Sequence, residues 1–344
     1  MPSGSPNPLG PGTGKPSIVR GNGLRSTLVL LSLGFGLVFL FVGGDLLVRG
    51  AVSLAHRMRV SPMLIGITLV GFGTSTPELV TSIDAALRGS PGIAVGNVVG
   101  SNIANILLIL GIAALIAPIF IKPVAFRRDA AVMVAAAVAL AVFCFMGVLG
   151  AAAGLFFVIA LLAYVTYTYR CERDTPTASA ELHAREATLA EPTPHGLWRS
   201  LQFAVAGIAL TIGGAHLLVG GAVELATALQ IPDTVIGLTI VAVGTSLPEL
   251  VASIVASLRR QGDIALGNVI GSNIYNILGI LGVTAIVQPL TIPSQILQFD
   301  IWAMLAVTAL LVILAFIRQR LSRVAGAAFV ILYAAYIAWL AAAA

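Results

Sequence analysis

The chain has 344 residues, 58% of them hydrophobic and only 10% charged, and its mean hydropathy is +1.01. That excludes an ordinary soluble domain, where charged residues make up about a quarter, and implies a polytopic membrane protein with the lipid bilayer as its surroundings. A net charge of +5 would suit nucleic acid, but the basic residues lie between apolar runs, where they read as topology signals, so no nucleic-acid partner is expected.

Residues 1–27 are rich in Pro, Gly and Ser and read as a flexible tail. Arg25 ahead of the apolar run Leu28 to Val42 has the look of a secretory signal, yet the run continues to Val48 and is read as a first span. At about 20 residues per crossing, apolar runs place spans near 28–53, 61–87, 94–118, 128–148 and 150–169. A polar segment, 171–199, follows with Pro176, Pro192 and Pro194, and reads as a linker. Further spans fall near 200–228, 232–258, 265–288, 297–317 and 322–342. The expected architecture is all-α, with ten transmembrane helices in two five-helix units, 28–170 and 200–344. Cys144 and Cys171 form no CxxC or Cys/His cluster, so neither a disulfide frame nor a zinc site is expected. His56, His183 and His195 read as loop residues, and nothing in the sequence sets an oligomeric state.

The two units are copies. Gly66 to Gly111 aligns without gaps on Gly237 to Gly282 at a constant shift of 171 (244 minus 73), with about two-thirds of positions identical. The shift also carries Leu46, Leu47, Val48 and Gly50 onto Leu217, Leu218, Val219 and Gly221. Five spans per copy is an odd number, so the second copy enters the membrane in the opposite sense and the repeats are inverted. With the N-terminus outside, the inner loops hold Arg57, Arg59, Lys122, Arg127, Arg128, Arg170, Arg173, Arg185, Arg199, Arg259, Arg260, Arg318, Arg320 and Arg323. Only Lys15, Arg20, Arg25 and Arg88 remain outside, with Arg49 near the inner end of the first span. By the positive-inside rule both termini lie outside an inner (cell) membrane and the 171–199 linker is cytoplasmic.

The second span of each copy contains GTSxPEL: Gly73, Thr74, Ser75, Thr76, Pro77, Glu78, Leu79, and Gly244, Thr245, Ser246, Leu247, Pro248, Glu249, Leu250. Proline has no N–H and clashes with the carbonyl four residues back, so Pro77 frees the oxygen of Gly73 and Pro248 that of Gly244. An unpaired carbonyl in hydrocarbon costs several kcal/mol unless something satisfies it. Carbonyl, hydroxyl and carboxylate oxygens thus concentrate within one turn, a set of hard donors suited to sodium or calcium rather than zinc or copper. The third span of each copy carries GNVxGSNxxN, which puts Asn97, Ser101 and Asn105 on one helix face, and Asn268, Ser272 and Asn276 on another. The pairs Gly96/Gly100 and Gly267/Gly271 read as helix-packing positions.

Lone prolines and buried amides in membrane helices are ordinarily structural, but an intramembrane glutamate is a functional candidate, and here the whole constellation occurs twice. Asp45, Asp84, Glu224 and Asp300 are read as lacking an acidic counterpart in the other copy. Asp45, Glu224 and Asp300 are expected to be structural, and Asp84 to be a candidate for an entry path. An intramembrane acid protease would use paired aspartates in another sequence setting, so no enzyme is expected. A passive channel is the remaining rival.

The doubled GTSxPEL and GNVxGSNxxN segments resemble the two alpha-repeats of the calcium/cation antiporter superfamily, most of all its prokaryotic sodium/calcium exchanger branch. The resemblance implies a core of the second, third, seventh and eighth helices around the ions, with the first and sixth sliding past it. It implies Glu78 and Glu249 as central carboxylates, with Thr74, Ser75, Ser101, Asn105, Thr245, Ser246, Ser272 and Asn276 and the carbonyls of Gly73 and Gly244 completing the sites. The transported ions would be Ca²⁺ and Na⁺, with no cofactor and with H⁺ as the alternative counter-ion. Some relatives carry an aspartate at the position of Asn276, associated in one branch with potassium, and the amide here argues against potassium cotransport.

Overall fold

The computed structural model describes residues 19–57, 71–121, 123–173, 196–258, 260 and 262–343. The start of the second expected span, nearly all of the tail and most of the linker, with His183 and His195, lie outside the described residues. Helix α1 is Val19–Arg57, α2 is Gly71–Thr74 and α3 is Thr76–Leu87. Then come α4 (Pro91–Ile116), α5 (Pro123–Cys144) and α6 (Ala151–Arg173). The second half gives α7 (Leu197–Leu229), α8 (Asp233–Thr245), α9 (Leu247–Leu258), α10 (Gly262–Val287), α11 (Ile296–Arg318) and α12 (Arg323–Ala343). Among the described residues seven helices are long and apolar enough to cross a bilayer, and α8 with α9, bent by 47° at Ser246, makes an eighth. His56 belongs to the last turn of α1 rather than to a loop, because Ala51 to His56 contains no helix breaker.

Two short antiparallel ladders tie the halves together. Strand β1 (Ile119–Phe120) pairs with β4 (Arg320–Leu321), and β2 (Val148–Leu149) pairs with β3 (Leu290–Thr291). The shift of 171 carries β1 onto β3 and, within one residue, β2 onto β4. Each ladder is therefore the repeat equivalent of the other.

Helices α4 and α10 form the centre, and Ile93, Val95, Val98, Ile103, Ile106, Val269, Ile274 and Ile280 on them are buried. Gly96 and Gly100 let α4 approach α8 backbone to backbone: a Cβ at Gly100 would stand 2.6 Å from the carbonyl oxygen of Leu238. The outer helices turn large apolar side chains outward, among them Leu30, Leu162, Ile212, Ile317 and Ile331. In water such a surface would be prohibitive; in hydrocarbon it is what a spanning helix must present.

Helices α1 and α7 pack along a glycine seam. Gly36, Gly43 and Gly50 recur every seven residues and meet Gly214, Thr211 with Gly207, and Ala204 with Ser200, so the helices run antiparallel. Ser32 Oγ donates to the Leu217 carbonyl at 2.8 Å, and the hydroxyls of Ser53 and Ser200 meet at 2.7 Å. A seven-residue repeat keeps one seam of each helix facing its partner along its length.

Candidate cation site

Each GTSxPEL segment breaks its helix at the serine. Ser75 (φ −91°, ψ 10°) separates α2 from α3, and Ser246 (φ −83°, ψ 10°) separates α8 from α9. Both lie in the sparsely populated bridge region, within the turn in which the proline two residues on can neither bond to nor clear the carbonyl four residues behind it. The helix resumes at once, with Leu79 N–H donating to the Ser75 carbonyl and Leu250 N–H to that of Ser246, each at 3.1 Å. Opposite Gly73 stands Gly44 of α1, where even a Cβ would leave the Gly73 oxygen 3.9 Å away.

The breaks bring the two glutamates together across the halves, each held by the other copy's hydroxyls. Ser246 Oγ donates to Glu78 Oε1 at 3.1 Å and Ser75 Oγ to Glu249 Oε1 at 2.9 Å. Thr245 also reaches Glu78, while Thr74 and Ser272 reach Glu249. Both carboxylates are 1% exposed.

Behind the carboxylates a second pair of repeat-related bonds fixes the helices. Asn97 Nδ2 donates to the Glu78 carbonyl (3.3 Å) and to Ser82 Oγ (3.0 Å). Asn268 Nδ2 does the same to the Glu249 carbonyl (3.4 Å) and Ser253 Oγ (3.1 Å). Asn97 Oδ1 in turn accepts from Thr245 at 3.1 Å. Asn105 and Asn276 each open a π-helical turn, Asn105–Ile109 and Asn276–Leu281, inside α4 and α10. Such turns rotate a side chain out of the α-helical register and recur at functional positions.

Among the buried oxygens left without a hydrogen bond are two repeat-related pairs: Glu78 Oε2 with Glu249 Oε2, and Asn105 Oδ1 with Asn276 Oδ1. Buried acceptors in a native core are ordinarily satisfied, and a charged one left open is costly. Ser101 Oγ donates to the Ala242 carbonyl at 3.4 Å, and Asn105 Nδ2 donates to Asn273 Oδ1 at 3.0 Å. Asn273 bridges on to the Asn102 carbonyl at 3.3 Å. An apolar cavity of about 290 Å³ between α1 and the α8–α9 break is lined by Leu37, Pro77, Thr245 and Pro248.

Other acids find different partners. Asp45 pairs with Arg49 at 2.9 Å along α1, and Glu224 is exposed on α7. Asp84 is ion-paired to Arg88 at 2.6 Å and lies 3.5 Å from His216 of α7, which Arg88 also contacts. His216 went unassigned in the sequence because its repeat equivalent, Asp45, is a different type. One reading needs correcting: Asp300 does have an acidic counterpart, Asp129 (300 minus 171).

A family profile described as sodium/calcium exchanger protein matches residues 28–170 and 199–342. The chain belongs to the sodium/calcium exchanger family. Sodium/calcium exchanger MaX1 of Methanosarcina acetivorans is 36% identical over 343 residues, covering 90% of this chain and 98% of that protein. Inner membrane protein YrbG of Escherichia coli is 33% identical over 308 residues, covering 89% and 94%. Among solved structures, the sodium-calcium exchanger NCX_Mj soaked with Na⁺ and Sr²⁺ aligns at a TM-score of 0.60 and 32% identity, covering 91% of this chain and 98% of that one. The exchanger is thus a membrane transporter, not an enzyme.

Proposed function

We propose that this exchanger moves Ca²⁺ against Na⁺ by alternating access around a midplane site built on Glu78 and Glu249. What carries the reading is that two carboxylate and two amide oxygens, in two repeat-related pairs, are buried without a hydrogen-bond partner. Two carboxylates neutralise one Ca²⁺, and oxygen donors of this kind suit a hard cation. The Thr and Ser hydroxyls of residues 74, 75, 245 and 246, with Ser101, Ser272 and the Gly73 and Gly244 carbonyls, complete overlapping Na⁺ positions. Occupancy by one cation excludes the other. An empty, doubly ionised site in low dielectric is expensive, so the exchanger changes access only when loaded, which makes exchange rather than leak.

The architecture we assign is ten helices in two inverted five-helix repeats, 28–170 and 200–344, with the 1–27 tail and the 171–199 linker outside them. Supporting the inversion, α1 and α7 are related by the shift of 171 and run antiparallel. The charge bias places both termini outside the cell membrane and the linker in the cytoplasm.

The test is ion-replacement flux in reconstituted vesicles. Ca²⁺ uptake should require an opposing Na⁺ gradient, stop when choline replaces Na⁺ at fixed pH, and vanish in Glu78→Ala and Glu249→Ala. Uptake that persists in choline and follows an imposed pH gradient would assign H⁺ as the counter-ion. Retained exchange in either alanine variant would remove the glutamates from the mechanism.

A further inference from the structure

The repeat carries a second duplicated acid, away from the cation site. Asp129 and Met133 on α5 map onto Asp300 and Met304 on α11 (each plus 171). Tyr164 of α6 donates its hydroxyl to Asp129 Oδ1 at 3.1 Å, and Tyr336 of α12 donates to Asp300 Oδ1 at 2.9 Å. In each half an Asp–Tyr clasp thus joins the last two helices.

The copies differ in what balances the charge. Arg128 is bidentate on Asp129, Nε 2.7 Å from Oδ1 and Nη2 3.2 Å from Oδ2. Its equivalent beside Asp300 is Phe299 (128 plus 171), whose ring stacks on Trp339 with centroids 3.6 Å apart. Asp300 is 0% exposed and its Oδ2 has no hydrogen-bond partner.

No cation comes near from the described parts of the packed elements. Helix α12 offers Tyr336 and Tyr333, and Gln295 lies just ahead of α11. Helix α4 has no ionisable residue and approaches through Asn102, whose Nδ2 is 3.8 Å from Met304 Sδ. Helix α5 brings Arg127 against Phe316, 16 residues along α11 from Asp300 and hence about 24 Å away. Arg323, at the start of α12, is 13 residues from Tyr336, about 20 Å.

A full negative charge there would rest on neutral donors alone, inside the membrane. A metal ion needs about six oxygen ligands, whereas this stretch of α11 is packed with the rings of Phe299, Trp339 and Tyr336, and the nearby Met304 offers a thioether. A proton needs one oxygen. We propose that Asp300 is a proton-binding residue, separate from the Glu78–Glu249 site, standing at neutral pH as a carboxylic acid. Protonation turns Oδ2 into a donor, and the π-helical turn Ile296–Asp300 supplies main-chain carbonyls with a spare lone pair to accept from it.

Infrared spectroscopy of the reconstituted exchanger at pH 7 reads this group without reference to transport. The carboxylic-acid C=O band, identified by its downshift in D₂O, should lose intensity in D300N and not in D129N. F299R, which supplies the cation Asp129 already has, should abolish the same component. D300N should keep Ca²⁺ exchange within about twofold of wild type. If D300N does not fold, Y336F reads the same acid: losing the phenolic donor moves the band to higher wavenumber. A spectrum unchanged by D300N, or by Y336F in its place, would overturn the proposal. So would Na⁺-dependent thermal stabilisation that Asp300 variants abolish, because the bound cation would then be a metal ion.

Discussion

Replacing either glutamate by glutamine isolates charge from shape. The Gln carbonyl can still accept the cross-copy hydrogen bond, from Ser246 at position 78 or from Ser75 at position 249. The fold should therefore survive, and in ion-free buffer it should gain a little stability as two buried carboxylates cease to repel. Binding should not survive. At an effective dielectric of about 20, two unit charges 4 Å apart attract by about 4 kcal/mol, and a coordinated divalent ion is closer and doubly charged. Glu78→Gln and Glu249→Gln are each expected to weaken Ca²⁺ by at least about a thousandfold, since each 1.4 kcal/mol is tenfold. Because the two environments mirror one another, the losses should agree within about tenfold. Calorimetric Ca²⁺ titration of purified protein gives both numbers. An affinity within tenfold of wild type in either variant, with the fold intact, would refute the reasoning.

Three further outcomes are expected. Ser75→Ala leaves Glu249 Oε1 without its serine donor, so thermal unfolding should show a loss of about 1.5–3 kcal/mol, falling to about 0.5–1.5 kcal/mol in the Glu249→Gln background, where the lost bond is to a neutral acceptor. Pro77→Ala restores an N–H that can close the helix onto the Gly73 carbonyl, so melting temperature should hold or rise while Na⁺-dependent Ca²⁺ flux falls; flux that is unchanged would mean the freed carbonyl has no part in it. At Gly43 a Cβ would stand 2.6 Å from the Thr211 backbone nitrogen, and Gly43→Ala should cost about 1–3 kcal/mol and slow exchange, whereas Ala at the open Gly34 should do neither.

Much of the site was legible because its chemistry is written twice. Proline next to glutamate is costly in a membrane helix, and its recurrence at a fixed shift marked the breaks, the two carboxylates and their Thr–Ser neighbours. The sequence alone could not show that each carboxylate is held by the opposite copy's serine, since that depends on how the halves interlock. Ser101 donates its hydroxyl proton to the Ala242 carbonyl, a partner from the other copy that the sequence does not reveal, and its oxygen lone pairs stay open to a cation. Asn97 and Asn268 were visible as a polar stripe, but their service to the Glu78 and Glu249 carbonyls follows from a helix crossing. The π-helical turns left no periodicity to read. The Asp129–Asp300 pair is less legible, because around it in α5 and α11 the flanking residues of the two copies diverge, with Arg128 standing opposite Phe299.

The glycine seam between α1 and α7 sets how those two helices move. At Gly36, Gly43 and Gly50 one backbone rests directly on the other, and a slip of one residue would drive a branched or aromatic neighbour such as Val42 or Phe35 into that contact. The pair is therefore keyed in register, like two rails bolted at regular intervals. Neither helix can glide past the other, so any travel across the central helices is made by both together. In the alternating access proposed above, a displacement begun at one copy's break would be delivered to the other's, and opening on one face of the membrane would be mechanically the same event as closing on the other.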